Sequence, residues 1–162
     1  MGFHWIDPDA FLREAARVLA PGGEIWILDF WFPGLMIESP DYADWSRDRY
    51  STRFPAPRRG STRPAEALDG HSRFSYEGAV NFQFEVTFSR DGLREYLTSQ
   101  SNIEAALDAG AALADVDDWL DAELARFIPS GDTRTFRYDG QADRARSADA
   151  PFVRPRLTTP PD

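Results

Sequence analysis

The residues of this chain able to do chemistry fall in three places. His4 and Trp5 close a short apolar stretch, 2–6, that reads as the stub of a strand. Open α/β sheets place ligands at the carboxyl ends of their strands, so both side chains are candidates to line a pocket, with His4 a weak candidate general base. Asp29, Trp31 and Phe32 end the next apolar run on the same expected edge. Asp29 can hydrogen-bond a substrate or cap a nearby loop, and Trp31 can wall a pocket or pack in the core. Arg58, Arg59 and Arg63, with His71, form the one basic cluster, and forked guanidinium donors match a carboxylate-bearing substrate. His4 and His71 with Asp7 or Asp69 fit no metal-ligand spacing, so no metal site is assigned. Phe82, Phe84 and Phe88 alternate as a core stripe.

Composition removes other chemistries. The chain has no cysteine, which excludes disulfides, thiolate metal sites and thiol nucleophiles. All 18 basic residues are arginine, so lysine Schiff bases and P-loop lysines are excluded as well. The net charge of −9 argues against nucleic acid and anionic lipid as partners. No apolar run approaches the roughly 20 residues of a bilayer span, and no signal peptide is legible. A soluble, cytoplasmic protein of one domain is expected from 162 residues.

Particular elements must position those candidates. Asp7-Pro8 is an N-cap followed by proline at the first helical turn, and Phe11, Leu12, Ala15, Ala16, Val18 and Leu19 recur at helical spacing. Pro21-Gly22-Gly23 ends that helix. The run 24–32 is nearly continuous apolar, as in a parallel strand covered on both faces. Residues 33–79 read as an irregular loop or lid with a short helix near 42–50. A strand is expected over 80–88 and a first helix from Ser89. A second helix opens at a Ser101–Glu104 capping box, and a third carries Val116, Trp119, Leu120 and Leu124. The acids of 104–124 read as a solvated face. A closing strand is expected over 133–138, and 141–162 reads as a disordered tail, which leaves 1–140 as the folded part.

His4-Trp5-Ile6-Asp7, followed by Phe11-Leu12-x-Glu14-Ala15-x-Arg17-Val18-Leu19-x-Pro21-Gly22-Gly23, resembles the segment after the cofactor site in class I S-adenosylmethionine (SAM)-dependent methyltransferases. The strand from Ile25 stands where that family has its fifth. Thr87-Phe88-Ser89-x-x-x-Leu93-x-x-Tyr96-Leu97-x-Ser99-x-Ser101 resembles the C-terminal part of the subgroup that includes trans-aconitate methyltransferase-like enzymes. The resemblance implies an α/β fold: a partial Rossmann-like sheet of C-terminal strands and helices, without the N-terminal cofactor-binding half. It implies a small-molecule acceptor, His4 and Trp5 beside the cofactor, and Asp29, Trp31, Arg58 and Arg59 beside the substrate. The family's reaction is in-line displacement at the sulfonium methyl, in which the enzyme aligns the reactants and excludes water.

The family's glycine-rich loop has no counterpart here, because no two glycines are separated by a single residue. The expectation is therefore that this chain alone does not bind SAM and is inactive. Either it starts upstream of Met1, or it is a truncated product, or another chain supplies the remainder. Two further readings stay open. One is a non-catalytic interaction module that pairs with a homodimer or partner chain through an exposed sheet edge. The other is an α+β small-ligand binder, in which 24–32 would pair antiparallel with 80–88.

Overall fold

The computed structural model describes residues 3–57 and 63–148. After a 3₁₀ turn at Phe3–Trp5, the elements are α1 (Pro8–Val18), β1 (Glu24–Met36), α2 (Asp41–Trp45), a π-helical turn (Ser46–Tyr50), α3 (Ser51–Arg53) and α4 (Pro64–Asp69). Then follow β2 (Phe74–Ser89), α5 (Arg90–Thr98), α6 (Ser101–Asp108), α7 (Leu113–Leu124) and β3 (Thr133–Ser147). The strand order is β1-β3-β2. The fold is mixed α/β.

The sheet is antiparallel, which corrects the expected parallel pairing of 24–32. Ile37 N–H donates to Thr135, and Ser147 N–H to Gly23, so β1 and β3 run in opposite directions. Across β3 and β2, Gln83 meets Asp139 and Glu85 meets Arg137, again antiparallel. β1 and β2 therefore share a direction and do not pair with each other, which removes the direct pairing of 24–32 with 80–88. The stub strand over 2–6 is also corrected, since Phe3–Trp5 winds into a 3₁₀ turn.

The chain divides into two compact units. Of the described residues, one comprises 3–29, 63–80 and 141–148; positions 149–162 of the expected tail lie outside the described residues. In it the Asp7 carboxylate accepts from Ala10 N–H at 3.0 Å, as the N-cap spacing requires. Gly22, at φ 71°, turns the chain into β1, and Leu12 and Ala15 pack with Ile25, Ile27, Leu68, Phe74 and Ala145. On strand residues turned from this cluster, Glu24 meets Arg144 at 2.6 Å and Arg146 at 2.7 Å, while Glu77 meets them at 3.0 and 2.8 Å. β3 continues through 141–147 with Asp143, Ala145 and Ser147 buried, so those seven residues, expected in a disordered tail, belong to the sheet.

The second unit comprises residues 30–59 and 81–140. Its core is aromatic. Phe32 lies 5.2 to 6.2 Å from Tyr42, Tyr96, Phe136 and Tyr138, and Trp45 stacks on Trp119 at 6.1 Å. Leu93, Leu97, Ile103, Val116, Leu120 and Leu124 of α5, α6 and α7 fill the remainder. The π-turn widens the helix so that Trp45 and Tyr50, five residues apart, both face inward with rings 5.8 Å apart. The expected loop over 33–79 is thus largely built from β1, α2 to α4 and β2. α6 begins at the expected place, but its N-cap is Gln100 and no side chain caps it, so the predicted capping box is not formed.

The burial pattern explains why 24–32 looked apolar on both faces. Ile25 and Ile27 serve the first unit's core, whereas Phe30 and Phe32 serve the second's. The inward parity switches from odd to even along one strand. Trp26, Leu28 and Trp31 stay about half exposed, so the run is not covered on both sides.

Candidate functional site

In the second unit, Trp31, Asn81, Phe82, Gln83, Asp139 and Gly140 line an open cavity of about 580 Å³. That size suits a small molecule. Each strand contributes: Trp31 from β1, Asp139 and Gly140 from β3, and 81–83 from β2. Gln83 Nε2 donates to Asp139 Oδ1 at 2.7 Å, which joins β2 to β3 across the floor. The Trp31 indole is 47% exposed, an unusual amount of solvent-facing area for so large an apolar side chain.

Gly140 makes room for the Phe82 ring on the core face of the sheet through its missing side chain. A Cβ there would stand 2.4 Å from the Phe82 ring, so the ring crosses β3 only because the residue is glycine. Phe82 stacks on Phe84 at 6.2 Å. Phe84 and Phe88 continue into the core against Tyr138 and Phe136. The expected core stripe thus holds at 84 and 88, and the Phe82 ring lies on the same face of β2.

Asp139 is charged without a cation. Elsewhere in the sheet Glu24 and Glu77 each meet Arg144 and Arg146, and Glu85 meets Arg137 at 3.4 Å. Among the described residues Asp139 has only the Gln83 amide. The cavity therefore combines an aromatic wall, two carboxamides and an uncompensated carboxylate. It can hold a ligand that is apolar on one side and donates hydrogen bonds or positive charge on the other.

The other sequence candidates do not gather here. Asp29 is half-buried in mid-strand rather than at a strand end, because β1 runs on to Met36; its carboxylate caps no loop among the described residues. Trp31 is likewise mid-strand, and it alone of the expected pocket residues lines the cavity. Trp5 is 64% exposed in the 3₁₀ turn, not at the end of a strand. The His4 side chain, Arg58 and Arg59 lie outside the described residues. Arg63 is exposed, and His71 Nδ1 accepts from Arg73 N–H at 3.3 Å. No group of three or more metal-ligating side chains is assembled among the described residues.

A second hollow of about 490 Å³ lies between Asp41, Asp44, Asp48, Trp45, Arg49 and Arg126, and most of its charges are paired. Arg47 neutralises Asp44 and Asp48 at 2.7 and 2.8 Å. Arg49 and Arg126 both reach Glu123, which also accepts from Trp45 Nε1 at 2.7 Å.

Compared with known proteins, the chain matches no family model and no curated sequence. Among the described residues no helix is long and apolar enough to cross a membrane.

Proposed function

We propose that this chain is the carboxyl-terminal part of a class I SAM-dependent methyltransferase-type domain acting on a small molecule, with the Trp31 cavity as the acceptor's seat. One observation carries the reading. The last strand returns antiparallel between two strands that share a direction, in the order β1-β3-β2. The helix, glycine turn and strand of 7–32 lead into that sheet, and the strand from Ile25 stands where the resemblance puts the family's fifth. The long β1 and the 580 Å³ cavity beside Trp31 supply what acceptor binding needs.

The described residues do not fit SAM. A nucleoside cradle needs close backbone approach at a strand-to-helix turn, which glycine permits. The junctions that follow β1 and β2, at 37–40 and Ser89, contain no glycine. The reading therefore assigns this chain acceptor binding and leaves the cofactor to elements it does not include. Calorimetric titration with SAM is expected to give no binding heat, and micromolar affinity would overturn that division. An in-frame upstream extension of about one hundred codons encoding a strand and a glycine-rich turn would support the family reading. Its absence, together with no complementing chain, would remove it.

A second reading, a non-catalytic module that captures a partner strand, is favoured by the outer edge of β1. Among the described residues β1 pairs only with β3, and Trp31, Leu35 and Ile37 stand 41 to 47% exposed along it. A long apolar edge invites strand addition. Sedimentation at rising concentration separates the two: a persistent monomer counts against self-pairing.

A further inference from the structure

We infer that the Trp31 cavity is a recognition site for a small organic ammonium ion. Three features converge on that charge and shape. The carboxylate of Asp139 lines the cavity and has no arginine, although Arg137 two residues earlier on the same strand is committed to Glu85. The Gln83 amide takes one Asp139 oxygen at 2.7 Å, which fixes the carboxylate and leaves its second oxygen for a ligand. The half-exposed Trp31 indole provides a π face, and an indole is the strongest aromatic partner for a cation.

The other lining groups agree with this choice. Asn81 and Gln83 add two neutral carboxamides and no cation to the lining. An anionic ligand would meet Asp139 with no cation in the lining to offset it. A neutral apolar ligand would gain nothing from that carboxylate. The site thus selects positive charge, the opposite of the carboxylate-bearing substrate that the arginine cluster at 58–63 suggested. This inference takes the cavity as a ligand seat but does not need methyl transfer, so it stands or falls apart from the SAM titration.

The test is a pair of isosteric probes, choline and its uncharged carbon analogue 3,3-dimethylbutan-1-ol, titrated into the full chain labelled with ¹⁵N. The readout is the Trp31 indole N–H resonance, assigned by its loss in Trp31→Phe. Choline is expected to shift that resonance saturably, and the neutral isostere to bind about tenfold more weakly. Asp139→Asn keeps an oxygen for the Gln83 amide and removes the charge, so it is expected to erase the preference. Trp31→Leu, at a half-exposed position and followed through the Asn81 and Gln83 side-chain amide resonances, is expected to weaken choline by a similar factor and serves if Asp139→Asn does not fold. Equal affinity for the two probes, an unchanged preference in Asp139→Asn, or no saturable shift with choline would overturn the assignment.

Discussion

The ring of Phe82 lies across Gly140 so closely that a methyl group on the glycine would stand 2.4 Å from two of its carbons. Real side chains do not tolerate that separation, so the contact couples residue choice on β3 to ring placement on β2. Gly140→Ala is expected to push the ring aside at a cost of about 1 kcal/mol, the lower range for overpacking. In a Phe82→Ala background the same substitution should cost nearly nothing. A double-mutant cycle by urea denaturation checks the coupling, and additive effects would contradict it.

Several acids of 104–124 depart from the expected solvated face: Asp121 meets Arg90, Asp117 accepts from Thr98, and Glu123 is held by three partners. Its side chain is only 14% exposed; it accepts from Trp45 Nε1 and meets Arg49 at 2.9 Å and Arg126 at 3.4 Å. Removing it strands an indole N–H and two guanidinium groups. Glu123→Ala is expected to destabilise the second unit by about 2 kcal/mol, and Glu123→Gln by less, because an amide oxygen still accepts from the indole. Urea midpoints together with Trp45 fluorescence measure both.

Tyr42 behaves in the opposite way. It is wholly buried and its hydroxyl has no hydrogen-bond partner, and burial holds its ionisation well above the usual tyrosine range. Tyr42→Phe removes an unsatisfied group and keeps the ring contacts with Trp45, Phe127 and Phe136. It is expected to leave stability unchanged or raise it by about 1 kcal/mol. Tyr50→Phe gives up bonds to Leu97 O and Asn102 Oδ1 and is expected to lower it by a similar amount. A clear loss in Tyr42→Phe would show that its hydroxyl does have a partner, such as a buried water.

Local signals carried the first helix: proline after Asp7 and the apolar spacing to Leu19 predict α1 nearly to the residue, because capping and periodicity act within a few positions. Glu123 was hidden, since its partners Trp45 and Arg49 are over seventy positions away and nothing local separates it from a solvated acid. The extent of β3 was hidden for a related reason. Its small and charged residues Asp143, Ala145 and Ser147 mimic a disordered composition, yet they are buried by partners from β1, β2 and α1. At the candidate site Trp31 was legible as an aromatic among strand residues. Asp139-Gly140 fell between the strand expected over 133–138 and the tail expected from 141, because the ring that requires the glycine lies on a different strand.

The charge cluster of the first unit sets an acid limit on stability. Hydrogen bonds from Arg144 and then Trp26 Nε1 hold the Glu24 carboxyl below its ordinary value of 4.5. Glu38 is also lowered: burial is the largest single influence and pushes it up, but hydrogen bonds from the Thr135 backbone N–H, its own backbone N–H and the Thr135 side chain, with the charge of Arg134, together outweigh it. With a folded value below the unfolded one, the unfolded chain binds protons first as the pH falls. The Glu24 contribution is therefore fully present above the unfolded value and is lost as the pH drops through the folded one. Glu24→Gln cannot titrate, so its stability should fall below the wild type's near neutrality and the two curves should converge under acid. Urea denaturation at a series of pH values from neutral downward measures the gap. A constant gap would mean that the Glu24–Arg144–Arg146 contacts contribute nothing through charge, as many exposed ion pairs do.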